Sequence, residues 1–310
     1  MAIALGALAV PAAAADGPGL SVPEQQMRSA LHCTGDLASS PRAPVLLVHG
    51  TASSGAESWG WTYMRGLPLD GHSACTIDLP ARAMDDIQRS AEYVVGAVRY
   101  MSSVAGRRID VVGHSQGGVE PLWALKWWPD LRDRVDDYVG IGTGGHGLAY
   151  LDALCRPGTL CPPAFWQLRA SSRFLAALRA GGMTPAPVSY TSVISATDEV
   201  ATPEVGPDPV GVIPGATNVY VQDLCPGRVV DHIAEVYDAA AYAIVLDALD
   251  HPGTARLARI ERGVCSRLVM PGVDRRSMAA ELAVAGAGLA RGAVGAREVR
   301  EEPAPAAYVR

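Results

Sequence analysis

The chain is poor in charge and nearly free of lysine. Charged residues are 19% of 310, Lys126 is the one lysine among 26 Lys and Arg, and the net charge is −6. An acidic chain without a basic cluster argues against nucleic acid as a partner. No stretch reaches the ~20 residues of a membrane span without a charge or a breaker, so no transmembrane segment is expected. There is no C-x-x-C, which argues against a zinc or thiol redox site. No Pro- or Ser-rich linker and no internal repeat divides the chain, so 16–310 is expected to be one domain. Nothing suggests a metal or an organic cofactor.

What is present is a globular α/β pattern. Apolar residues are 49%, too many for general disorder. Residues 1–15, MAIALGALAVPAAAA, form an uncharged apolar run ending in Ala13-x-Ala15. That pattern is expected to be an export signal, with its basic start lying upstream, and makes the protein secreted. Six cysteines agree with an oxidising compartment. Spacing suggests Cys155–Cys161 across the Pro157-Gly158 turn and leaves Cys33, Cys75, Cys225 and Cys265 open among several pairings.

Along the chain, 16–43 reads as loop. Pro44–Gly50, Ser73–Asp78, Ile109–Val112, Tyr138–Ile141, Val188–Ile194 and Thr217–Val221 read as strands. Helices are expected at Asp85–Ala105, where the apolar positions follow a 3.6 period, and at Ser115–Trp128, Val230–Leu249 and Val273–Ala293. Alternation of this kind predicts a mostly parallel sheet with helices on both faces. The 142–187 connection is long, as binding loops at strand ends often are. The 266–310 segment is expected to place a helix and tail on or near the site entrance.

Gly113-His114-Ser115-Gln116-Gly117 matches G-x-S-x-G. This chemistry needs a serine on a sharp strand-to-helix turn, with glycines on either side for close backbone approach. The motif alone is a weak signal; here an apolar strand precedes it and a helical pattern follows. Gly71-His72-Ser73-Ala74-Cys75 has neither the second glycine nor the helix. In the Ser–acid–His order, three histidines follow Ser115. His146 comes too early for a strand to deliver an acid before it. His251 lies at a helix end beside Pro252, which suits a dipole contact. His232, one strand and loop after Val221, is the favoured base. Asp198, just after a strand, is the favoured acid, with Glu199 close behind and Asp208 and Asp223 weaker. The Gln116 N–H should be one oxyanion donor, and the loop at Gly50-Thr51 should supply another.

These residues bring the chain to a known family. Val45–Thr51, Ala91–Val95, Ser115–Gly118, Ser195–Glu199 and Val230–His232 occur in one order, and together they resemble secreted lipases of the Candida antarctica lipase B type. The resemblance runs from about Cys33 to Cys265 and implies the α/β-hydrolase fold. It implies Ser115 as nucleophile, Asp198 as acid, His232 as base, and Thr51 and Gln116 as oxyanion donors. It also implies the pairs Cys33–Cys75 and Cys225–Cys265. The chain departs from the family at His114, where the yeast lipase has a tryptophan that helps shape the alcohol pocket, and along 142–147.

The expected activity is ester hydrolysis, as a monomeric triacylglycerol lipase acting on lipid at a lipid–water interface. A carboxylesterase or polyester hydrolase would use the same groups, and a binding protein lacking activity could use the same fold. A wide apolar entrance is expected from Leu148–Leu154, Phe165-Trp166 and the Val273–Ala293 helix, although that helix reads slightly better as a cover packed on the core. Trp123, Trp127 and Trp128 are spaced for core packing.

Overall fold

The structure, a computed structural model, describes residues 16–309; the expected export signal at 1–15 lies outside the described residues. Seven strands form one sheet: β1 (Leu31–Thr34), β2 (Val45–Val48), β3 (Ala74–Ile77), β4 (Ile109–His114), β5 (Val135–Ile141), β6 (Ser189–Ile194) and β7 (Thr217–Tyr220). Their order is β1-β3-β2-β4-β5-β6-β7. β1 runs antiparallel to β3, and the other neighbours pair in parallel. The expected mostly parallel sheet is present.

Alternation along the strands sends side chains to two separate cores. Leu46, Val48, Val111 and Tyr138 face one cluster, with the Ile87–Ala105 and Val119–Trp127 helices. Val45, Leu47, Val112 and Val139 face the other, with Trp59, Tyr63 and the Ala239–Asp250 helix. Every residue of β2, β3 and β4 is buried, which explains why these strands read as continuous apolar runs. The Ile87–Ala105 helix begins where the Asp86 carboxylate accepts from the Gln88 N–H and stops at Gly106, whose φ is +63°.

Four expectations need correction. The supposed loop 16–43 contains the Glu24–Ser29 helix and edge strand β1, whose mixed exposure hides its period. The expected 230–249 helix starts only at Ala239, where Asp238 accepts from the Ala240 and Ala241 N–H groups. His232 therefore sits in a loop. The last helix runs Met278–Gly295, later than its apolar pattern implied. Trp166 does not line the entrance: it is buried beside Cys155 and Cys161.

Disulfides pair Cys33 with Cys75, Cys155 with Cys161, and Cys225 with Cys265. The long connection carries three short helices, Ala149–Leu154, Pro163–Gln167 and Arg173–Arg179. Beyond the Met278–Gly295 helix the tail crosses to the other side of this connection. Val299 bridges Cys161, Glu302 accepts from the Arg173 and Phe174 N–H groups, and Tyr308 packs on Trp123, Trp127 and Trp128. No described helix is long and apolar enough to cross a membrane.

Candidate active site

The parallel strands all end on one edge of the sheet, and the ends of β2, β4, β6 and β7 bring the chemistry together there. β4 runs straight into Ser115, held at φ +58° at the start of the Ser115–Gly118 turn. A non-glycine residue in that region is strained and persists only where its surroundings fix it. A Cβ on Gly50 would lie 3.0 Å from the Ser115 Cβ, so the bare glycine leaves room for the serine.

Asp198 follows β6. Its Oδ1 accepts from the N–H groups of Val200 and Ala201 at 2.7 and 2.9 Å, and its Oδ2 accepts from His232 Nδ1 at 2.6 Å. Burial pushes this carboxyl up, but the His232 bond and charge and the two backbone donors outweigh it, and its pKa lies below the usual carboxylate value. Ser115 and His232 line the same cavity of about 380 Å³. Glu199 does not face the imidazole; it accepts from the His232 backbone N–H at 3.1 Å and so anchors the loop that carries His232. Asp208 and Asp223 are exposed. His146 lends its carbonyl to Arg179, and His251 bonds the Asp247 carbonyl at its helix end.

Thr51 and Gln116 meet on the opposite side. The Thr51 hydroxyl donates to Gln116 Oε1 at 2.6 Å, and Gln116 Nε2 donates to the Ala83 carbonyl and to Glu120 Oε1. Glu120 is fully buried, and burial pushes its pKa up to about 8. Below Thr51, His49 Nδ1 donates to the Gly50 carbonyl at 2.8 Å, and its Nε2 accepts from the Leu79 N–H at 3.0 Å. Both backbone loops that would hold an oxyanion are thus fixed from behind.

His114 and Glu235 lie beside His232. His114 Nε2 donates to the His232 carbonyl at 2.9 Å, with the two rings 4.6 Å apart. Burial, then the His232 charge, lowers its pKa to about 3, so it stays neutral. Glu235 is fully buried, and burial together with the Asp198 charge raises its pKa well above the usual value. Sequence reading gave neither residue a role, nor Glu120. The available signals were local: Glu120 stands four residues after Gln116 and Glu235 three after His232, which are spacings that meet across one helical turn.

Among the described residues one group has metal-ligand spacing: His114, His232 and Glu235, with ligand atoms within 4.8 Å of one another. Two of its nitrogens already serve Asp198 and the His232 carbonyl, so it works as a hydrogen-bonded cluster.

The buried acids set a stability trend. Glu120, Glu204 and Asp137 are pushed up to about 8 by burial, and burial raises Asp110 and Glu235 well above their usual values. Unfolded, all five would ionise near pH 4. From pH 6.5 upward the folded state therefore holds more protons than the unfolded one. Stability should fall as pH rises, by up to about 1.4 kcal/mol per pH unit for each group still protonated only when folded. The urea midpoint is expected to be lower at pH 9 than at pH 6.5; an equal or higher midpoint would contradict the assignment.

A strand–serine–helix turn, an acid after β6 and a histidine after β7, on a parallel sheet, define a carboxylic ester hydrolase of the α/β-hydrolase class. The chain belongs to the lipase B family. It is 32% identical over 254 residues to lipase B of Pseudozyma antarctica, which covers 78% of this chain and 72% of that one. Its structure matches Aspergillus fumigatus lipase B with a TM-score of 0.87 at 28% identity, over 95% of this chain and 74% of that one. The propeptide form of Bacillus licheniformis lipase BlEst2 shares the fold alone, with a TM-score of 0.55 at 18% identity over 73% of this chain and 54% of that one. No family model matches the chain.

Proposed function

We propose that the protein is a secreted triacylglycerol lipase working through Ser115, His232 and Asp198. The observation that carries this reading is the 2.6 Å His232–Asp198 bond beside a strained serine in one apolar cavity. His232 takes the Ser115 hydroxyl proton as the oxygen attacks the ester carbonyl, and the C=O electron pair moves onto the oxyanion. The backbone N–H groups of Thr51 and Gln116 receive that charge, and the Thr51 hydroxyl can turn from Gln116 to join them. The tetrahedral intermediate expels the alcohol, which takes its proton from His232, and leaves an acyl-enzyme. Water, deprotonated by His232, then releases the acid. Asp198 holds the imidazole in the tautomer that leaves Nε2 free and stabilises the imidazolium.

The apolar walls support a lipid substrate. Leu148, Leu151, Leu154 and Phe165 stand on one side of the cavity, with Leu289 and Ala293 of the Met278–Gly295 helix on another. That helix buries only Gly288 and Gly292, and Val284 and Val294 are 53% and 90% exposed. An apolar helix left this open beside a cavity suits a lipid surface. Three disulfides and the expected leader support export.

The test compares acid release from an emulsified long-chain triacylglycerol with hydrolysis of a soluble short-chain ester. Leu289→Asp is expected to lower the emulsion rate by about tenfold or more and the soluble rate by much less. Activity on the soluble ester alone would favour an esterase, and equal losses on both would remove the helix from lipid recognition.

A further inference from the structure

We propose that Glu235 is a second acid partner for His232, a positioning residue able to orient the imidazole from Nδ1 when Asp198 is withdrawn. The inference rests on the proposed triad and goes beyond it. Glu235 Oε2 lies 3.9 Å from His232 Nδ1 and 3.7 Å from His114 Nε2, and among the described residues it has no hydrogen-bond partner. Its other oxygen, Oε1, accepts from the Ser195 N–H at 3.1 Å. That bond ties the carboxyl to the end of β6, the strand that delivers Asp198. The side chain is therefore held at both ends of its reach, by its own turn and by the acid's loop, with one oxygen aimed at the base.

Gly142 makes the arrangement possible. Its φ is +53°, and a Cβ there would fall on Glu235 Oε2 and lie 3.2 Å from Asp198 Oδ2. Only a glycine leaves space for two carboxyl groups side by side behind one imidazole. Two such groups cannot both ionise cheaply, so Asp198, with its backbone donors, carries the charge and Glu235 stays protonated. The groups facing Glu235 are His232 on its own segment, His114 at the end of β4, Asp198, Glu199 and Glu204 after β6, and Tyr63 across the core. Removing the Asp198 charge removes a like charge from this set and lets Glu235 ionise more easily, giving its proton to solvent. A rotation of under an ångström at the carboxyl then brings Oε2 to hydrogen-bond distance of Nδ1.

The experiment measures turnover of a soluble ester between pH 6 and pH 10 for the wild type, Ser115→Ala, Asp198→Ala, Asp198→Asn and Asp198→Ala with Glu235→Gln. In Asp198→Asn the new amide donates to Nδ1 and fixes the wrong tautomer, so Glu235 cannot help. Asp198→Ala leaves Nδ1 open. It is expected to exceed Asp198→Asn by about tenfold or more at alkaline pH, with a rate that climbs with pH as Glu235 ionises. Adding Glu235→Gln should abolish that excess and flatten the climb. An Asp198→Ala rate at or below that of Asp198→Asn, or one unchanged by Glu235→Gln, would overturn the inference. Rates are expressed per folded molecule, read by circular dichroism at each pH, so a poor yield leaves the test intact. Full activity in Ser115→Ala would overturn the triad reading and this inference with it. An inactive Ser115→Ala with no Glu235 effect would overturn this inference alone.

Discussion

Ser115→Ala is expected to lower turnover of a soluble ester by about 10⁴–10⁶ while leaving thermal unfolding almost unchanged. The two halves of this expectation have separate causes. The proposed nucleophile is one oxygen, at the turn that joins β4 to the Val119–Trp127 helix. Ser53 and Ser58 also line the cavity, but they are 2.8 Å from each other and bonded as a pair. The backbone half follows from the turn. Ser115 sits at φ +58°, a strain that alanine bears about equally well, so the substitution removes chemistry without adding a backbone cost. The oxyanion donors survive, since they are backbone groups of Thr51 and Gln116. The residual rate should therefore stay above the uncatalysed one, by the roughly 10³–10⁴ that such donors and binding supply alone. Initial rates with organophosphonate labelling check the first half, and a thermal melt checks the second. A variant that keeps more than about a hundredth of wild-type turnover would remove Ser115 from the role of nucleophile. A large fall in melting temperature would instead show that the loss came from folding.

The sheet was legible because its central strands are buried on both faces and so appear as short apolar runs between turns. β1 was not, because an edge strand with exposed His32 and Cys33 carries no such signal. The positions of Asp198 and His232 after strands were legible. The division of labour between adjacent carboxylates was not. Asp198 and Glu199 are neighbours in the chain, and only the fold directs one to the imidazole ring and the other to the backbone N–H of the same histidine. His232 was expected to open a helix, yet the chain makes a loop and a short turn at Ala234–Val236 first. A helical pattern sees apolar residues at 233, 234 and 236 but not the cap at Asp238 that sets the true start. Glu120 and Glu235 were illegible for a further reason. A glutamate in an amphipathic pattern reads as solvent-facing, whereas both are buried acids kept neutral next to the chemistry. The presence of Glu235 fits the His114 departure from the yeast lipase, since His114, Glu235 and His232 form one cluster that a tryptophan at 114 would not complete.

Gly117→Ala should be among the most damaging single methyl groups in the molecule. A Cβ on Gly117 would lie 2.5 Å from the His49 carbonyl oxygen and closer still to that of Val48. Both are backbone atoms at the end of β2, the strand that carries Gly50 and Thr51 to the oxyanion position. Neither can rotate aside as a side chain would, so either β2 or the serine turn has to move. β2 is fully buried and bonded on both sides, to β3 and to β4, which leaves the turn to yield. The substitution is expected to lower unfolding free energy by about 3 kcal/mol or more, and to cut turnover by about 10² or more in what remains folded. Gly286→Ala is the matching control. It lies in the interior of the exposed Met278–Gly295 helix with open space at its Cβ, and alanine there should raise stability by about 0.5–1 kcal/mol. Denaturant unfolding of the two variants, with phosphonate labelling of the folded fraction, reads both quantities. Wild-type stability and labelling in Gly117→Ala would mean that the contact between the serine turn and β2 is looser than described. The reason for a glycine two residues after the serine would then have to lie elsewhere than in the approach of these two backbones.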